Sequence, residues 1–185
     1  MFAEIYIGML ESFKLYIESS KNDVPYYIYE GLISVFCVVG VVILICKGKD
    51  AWRDISLVLF CELVVLIYSA TVIFRMEDVK RNYNLTPFWS YERPELLVEN
   101  IMNIVVFVPI GILLGCSFRN ISWWKALFIG ASISASIEIF QFCLMRGFSE
   151  LDDVMHNTIG CMIGYGIYSM ARVVYEKFSK TSVGV

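Results

Sequence analysis

The chain has 185 residues, 58% of them hydrophobic and 18% charged, with a mean hydropathy of +0.66 and a formal net charge of -3. A soluble domain carries roughly 25% charged residues, so the composition points to an integral membrane protein rather than a large soluble core. Lysine and arginine stand singly or in pairs, never as a basic block, which removes the charge argument for nucleic-acid binding. No polar stretch is long enough to fold by itself, and 1–185 is expected to form a single membrane domain.

The opening segment, MFAEIYIGMLESFKLYIES, places Phe2, Ile5, Tyr6, Met9, Phe13, Tyr16 and Ile17 at helical spacing. Glu4, Glu11, Lys14 and Glu18 interrupt its apolar run, unlike a signal peptide. It predicts an amphipathic helix, lying on the membrane surface or packed on the spans. Five apolar runs follow, near 26–46, 55–74, 101–118, 123–144 and 153–174. Each approaches the roughly 20 residues that cross the hydrocarbon. The runs are continuous rather than alternating, which predicts an all-α polytopic bundle and not a barrel. Cys37, Cys46, Cys61, Cys116, Cys143 and Cys161 form no CxxC or metal-finger spacing and read as small apolar core residues.

Basic residues set the expected orientation. Lys47, Lys49 and Arg53 lie between the first two spans, Arg119 and Lys125 between the third and fourth, and Arg172, Lys177 and Lys180 in the tail. These segments share one side, which predicts a cytoplasmic C-terminus and an external N-terminus. The long connection after Phe74 and the bend between the fourth and fifth spans then face outward. The aromatic segment NLTPFWSY, 84–91, reads as an interfacial anchor or as a lid.

The bend carries the densest polar cluster. On the fourth span, Gly130, Ser134, Glu138 and Gln141 share a helical face; on the fifth, Asp153, Asn157, Gly160 and Gly164 do the same. A short connection makes the two helices antiparallel neighbours, so the polar stripes should meet just below the outer surface. Glu99, Asn100 and Asn103 lie at the outer end of the third span, where Pro109 interrupts the backbone ladder and Gly111 and Gly115 offer a close-packing face. A carboxylate inside a bilayer is costly, about 2.5–3.5 kcal/mol at its centre, and Glu138 lies about two turns inside the bend. The functional reading is an outward-opening polar site between the last three spans. The structural reading is a clasp in which Arg146 pairs with Glu138, Asp152 or Asp153. Glu138 and Asp153 are the acid–base candidates. Asn103, Glu138, Gln141, Arg146, Asp152, Asp153 and Asn157 are the binding candidates. Acids of this kind hold Mg²⁺ or Ca²⁺ elsewhere, but no metal is assigned, His156 is read as an interfacial hydrogen-bonding group, and no cofactor is identified. No GxSxG, HExxH or P-loop is present. Glu62, alone in the second span, is expected to face the bundle interior.

Three pieces of this sequence together resemble the VanZ-like family. NLTPF, 84–88, is similar to its Asn-Leu-x-Pro-Phe loop. NIVVFVPIGILLG, 103–115, is similar to its Asn-x-x-x-Phe-x-Pro-x-Gly helix. SIEIFQFCLMRGFSELDDVMHNTIGCMIGY is similar to its Glu-x-x-Gln, Arg, Asp-Asp and Asn-Thr-x-Gly pattern. The resemblance covers about 80 residues within a motif-bearing core of about 84–170, and places Asn103, Pro109, Glu138, Gln141, Arg146, Asp152, Asp153, Asn157 and Gly160 at motif positions. It implies a bacterial cytoplasmic-membrane protein associated with low-level resistance to teicoplanin, a glycopeptide antibiotic. Three functions remain open. The chain affects the envelope through a site for a lipid headgroup, a lipid-anchored wall precursor or a lipoglycopeptide. Alternatively, it is an intramembrane enzyme acting on a lipid-linked envelope substrate, or a structural subunit. A transporter is less favoured, because the chain shows no paired repeat. Oligomeric state is not legible.

Overall fold

The structure is a computed structural model and describes residues 26–47, 51–118 and 120–183. The expected amphipathic helix over 2–17 lies outside the described residues. Five α-helices follow in order: α1 Tyr26–Lys47, α2 Trp52–Tyr68, α3 Leu97–Ser117, α4 Trp123–Leu144 and α5 Leu151–Val183. A π-helical turn, Ser69–Ile73, prolongs α2. Two three-residue strands, β1 Asn82–Asn84 and β2 Phe148–Glu150, complete the regular structure together with two short 3₁₀ turns, Trp89–Glu92 and Pro94–Leu96.

An apolar segment in lipid must satisfy its own backbone, and a helix does so within one segment. Trp52–Ile73, Leu97–Ser117 and Trp123–Leu144 are long and apolar enough to cross a membrane. The described part of α1 contributes a shorter apolar stretch, Ile33–Lys47. The longest helix, α5, has 33 residues and carries Asp152, Asp153, His156 and Asn157 in its first two turns. Asp152, His156 and Asn157 are buried, while Ile159, Ile163 and Ile167 are exposed. The polar face is therefore turned into the protein and the apolar face outward, as lipid requires.

Helix α5 packs chiefly on α3 and next on α4. The α3 contact is backbone to backbone. A Cβ at Gly160 would strike the carbonyl oxygen of Ile104, one at Gly164 that of Val108, and one at Gly111 that of Cys161. Small residues let membrane helices approach this closely. Pro109 lies inside α3 without ending it. On α4, a Cβ at Gly130 would lie 2.7 Å from the Cys161 sulfur. Ile67, Val72, Phe107, Ile110, Ile137 and Cys161 form the apolar core.

The cysteine expectation needs correction. All six cysteines are free, but only Cys161 is buried, and Cys37, Cys46, Cys61 and Cys143 are exposed. In a bilayer the outer helix face is as apolar as the core, so an apolar run does not say which way a small residue points. Glu62 is buried, as expected.

Candidate functional site

A sharp reversal builds the site. Helix α4 ends at Met145 in the left-handed conformation, and Gly147 follows with φ 98°. The Arg146 N–H donates to the Gln141 carbonyl at 2.9 Å, closing the helix end in the manner of a Schellman cap. The chain then runs through β2 directly into α5. Strand β1, more than 60 residues earlier, pairs with β2 in parallel, with Asn82 opposite Phe148, Tyr83 opposite Ser149 and Asn84 opposite Glu150. This pairing brings the long α2–α3 connection down over the α4–α5 bend.

The connection is fastened by Asp152. Its carboxylate accepts from the backbone N–H of Phe88 (2.6 Å), the backbone N–H of Ser90 (3.0 Å) and the Ser90 hydroxyl (2.6 Å). Asn100 Nδ2 donates to that same hydroxyl at 3.1 Å. Phe88 adopts a left-handed φ of 63°, which lets the backbone fold around the carboxylate. Burial acts to raise the Asp152 carboxyl, but these hydrogen bonds prevail and hold it below the usual value. One turn along, His156 Nε2 and the Tyr91 hydroxyl are 2.8 Å apart. Phe88, Ser90 and Tyr91 of segment 84–91 are therefore fastened to the first turns of α5.

Beside this fastening is an open acidic groove. Glu138, 6% exposed, accepts the backbone N–H of Glu150 at 2.9 Å. Glu150 accepts from the Trp89 indole at 3.1 Å. Burial, then the charges of Asp153 and Glu99, push the Glu150 carboxyl up to about 7 against that hydrogen bond. Asp153 accepts from Asn103 Nδ2 at 2.8 Å, which ties α3 to the same cluster. Among the described residues no ion pair engages Glu138, Glu150 or Asp153. The charge of Arg75 reaches both Glu138 and Asp153, and its guanidinium lies against Gly147. Deeper down, Asn157 donates to the Ser134 hydroxyl at 2.8 Å, and its own Oδ1 is buried without a partner. Among the described residues no group of three or more His, Cys, Asp or Glu side chains is arranged to hold a metal ion.

The stripes on α4 and α5 thus meet through Ser134 and Asn157, Glu138 reaches Glu150 of β2, and Asn103 of α3 joins Asp153 of α5. Two expectations change. Gln141 turns away from α5 and donates to the Thr71 carbonyl at 3.1 Å. Arg146 pairs with none of Glu138, Asp152 or Asp153. It donates to the carbonyls of Val72 and Ile73 and to Glu77 at 3.0 Å. The helix that α2 and its π-helical turn form ends at Ile73, which leaves its last carbonyls without partners in the helix, and the Gln141 amide and Arg146 guanidinium supply donors to them. The cavity also lies elsewhere than between the last three spans. It runs along the flank of α4 and is bounded by Tyr83, Leu85, Leu151 and Val154, with no residue of α3 in its lining. Glu150, Trp89 and Ser90 were not among the site residues expected from sequence. A Gly147-led extended triplet between two helices was the available signal for Glu150.

The same stretches carry the likeness to known proteins. The VanZ/LLP1 family pattern matches residues 54–172, from the first turn of α2 to Arg172 within α5. Protein VanZ of Enterococcus faecium is 32% identical over 130 residues, covering 68% of this chain and 78% of that protein. No solved structure matches. The matched region contains the close-packed α3–α5 pair, the fastened connection and the acidic groove, and the chain belongs to the VanZ family.

Proposed function

We propose that this chain acts on the cell envelope from within the bacterial cytoplasmic membrane and gives low-level resistance to teicoplanin-type lipoglycopeptides. The acidic groove is the working site. The observation that carries this reading is the triad Glu138, Glu150 and Asp153, gathered around the α4–α5 bend with no cation paired to it among the described residues. Intramembrane carboxylates are costly, and such residues mark functional sites by default. The distribution of lysine and arginine supports an external N-terminus and a cytoplasmic C-terminus, which places the groove on the outer side. Its partner there is a lipid headgroup, a lipid-anchored wall precursor or the acylated drug itself. Teicoplanin carries an acyl chain and vancomycin does not, so a membrane-level site separates the two drugs.

The test is susceptibility to both drugs in a sensitive Gram-positive host, comparing empty vector with the intact protein. Selective protection against teicoplanin is expected. Equal protection against both drugs would overturn the membrane-level reading, and no protection from correctly inserted protein would overturn the resistance role.

A second reading is favoured by one observation: Glu138 and Asp153 lie on adjacent helices, close enough for the charge of Asp153 to bear on Glu138. Paired carboxylates suit acid–base chemistry on a lipid-linked envelope substrate. Under that reading Glu138→Gln alters the lipid or wall profile while the protein remains inserted. An unchanged profile would remove it.

A further inference from the structure

The groove is larger and greasier than a hydrogen-bonding cluster needs. Its volume is about 390 Å³, within the range of small-molecule sites, roughly 300–1,000 Å³. Ala135, Ile139 and Phe142 recur at helical spacing on α4 and make one wall. Tyr83 and Leu85 form a second, with the Tyr83 and Phe142 rings edge to face at 5.5 Å between centroids. Leu151 and Val154 of α5 form the third. Ile139 is 60% exposed on a helix long and apolar enough to cross the membrane, so a spanning α4 opens the groove to the hydrocarbon. Only Glu138, Ser149 and Glu150 make it polar. Each carboxylate engages a protein donor through Oε2, leaving Oε1 of both for an incoming donor. An apolar slot ending at two acids, neither in an ion pair among the described residues though the charge of Arg75 reaches Glu138, complements an amphiphile with a positive, N–H-bearing head.

We infer that the groove takes one alkyl chain of an ammonium-headed membrane lipid, with the ammonium donating to Glu138 and Glu150. This rests on reading the groove as the working site, and names the class of ligand it holds. Trp89 reports on it directly, since its indole hydrogen-bonds Glu150. The other three tryptophans, Trp52, Trp123 and Trp124, lie at the beginnings of α2 and α4, at the opposite end of the bundle.

The experiment uses the full chain with Trp52, Trp123 and Trp124 replaced by Phe, reconstituted in vesicles. Mid-chain-brominated lipids with ethanolamine, choline or glycerol heads are titrated in, and quenching of Trp89 is read. Half-quenching is expected at about a tenfold lower fraction of the ethanolamine lipid than of either other lipid. Glu138→Gln with Glu150→Gln should abolish that preference. Ala135→Phe, which fills the slot, should abolish quenching itself while leaving the unquenched emission unchanged. Equal quenching by all three heads, unaffected by Ala135→Phe, would show an ordinary boundary lipid and overturn the inference. Failure of the functional reading looks different. Head-selective quenching in a protein that gives no teicoplanin protection supports the lipid site and removes the resistance role. Protection that depends on Glu138, without head-selective quenching, keeps the working site and overturns the ammonium lipid.

Discussion

Asp152 and Glu150 are two residues apart and occupy opposite kinds of environment. Asp152 is 1% exposed and surrounded by donors, two backbone N–H groups and a hydroxyl, so its charge is fully engaged in holding the connection over the bend. Glu150 is partly exposed, takes one indole N–H, and faces a cavity in the company of other acids. One region is closed because every acceptor is matched; the other is open because acceptors outnumber donors. Side by side, they separate a carboxylate that fastens the fold from one left facing a cavity, which a count of acids does not.

The largest expected effect is on the closed region. Asp152→Ala leaves the Phe88 and Ser90 N–H groups without their acceptor. Hydrogen bonds to a charged group contribute about 1.5–3 kcal/mol each, so stability in detergent should fall by about 3 kcal/mol or more. Thermal unfolding followed by Trp89 emission measures it. A loss below about 1 kcal/mol would mean that the fastening is dispensable. Next comes the α3–α5 seam. Gly164→Ala drives a methyl into the Val108 carbonyl and should cost about 1–3 kcal/mol through overpacking, with the groove residues untouched. Arg146→Lys is smaller, about 1 kcal/mol, because one ammonium cannot reproduce the guanidinium's simultaneous reach to Val72, Ile73 and Glu77. Retention of full stability would show that water satisfies those carbonyls equally well.

The pH dependence sharpens the contrast, because the two carboxyls are shifted in opposite directions. Glu150 is held above its ordinary value of 4.5, at about 7, so the native state prefers it protonated. Its contribution makes stability fall as pH rises from about 4.5 to about 7. Asp152 is held below its ordinary value of 3.8, so its contribution is present above that value and is lost as pH falls through its depressed folded value. Glu150→Gln should flatten the slope between about 4.5 and 7 and leave the acid limb intact. A slope unchanged by that substitution would place the titration on another group.

The helix pair that frames this contrast was legible in the sequence; the contrast itself was not. The small and polar stripe Gly130, Ser134 and Glu138 pointed to α5, and Asn157 answered Ser134 at the expected spacing, while Gly160 packs on Ile104 of α3. Helical period and a short connection suffice for that. The β1–β2 pairing was not legible: three-residue strands carry no measurable alternation, and the partners are more than 60 residues apart. Without it, segment 84–91 reads as an interfacial membrane anchor ahead of a lid. Gln141 and Arg146 were recognised as polar motif residues, but their partners were not, because those partners are the last backbone carbonyls of a helix far away in the chain. A backbone acceptor has no signature in residue type. For the same reason Asp152 and Asp153 look equivalent as a pair of letters, yet one faces the connection and the other faces Asn103.

The most direct measurement is teicoplanin protection per molecule of inserted protein, compared between Asp152→Asn and Glu138→Gln. The account predicts that Asp152→Asn lowers abundance and protection together, leaving the ratio unchanged, whereas Glu138→Gln inserts normally and loses protection. A Glu138→Gln protein that protects as well as the intact chain at equal abundance would contradict it.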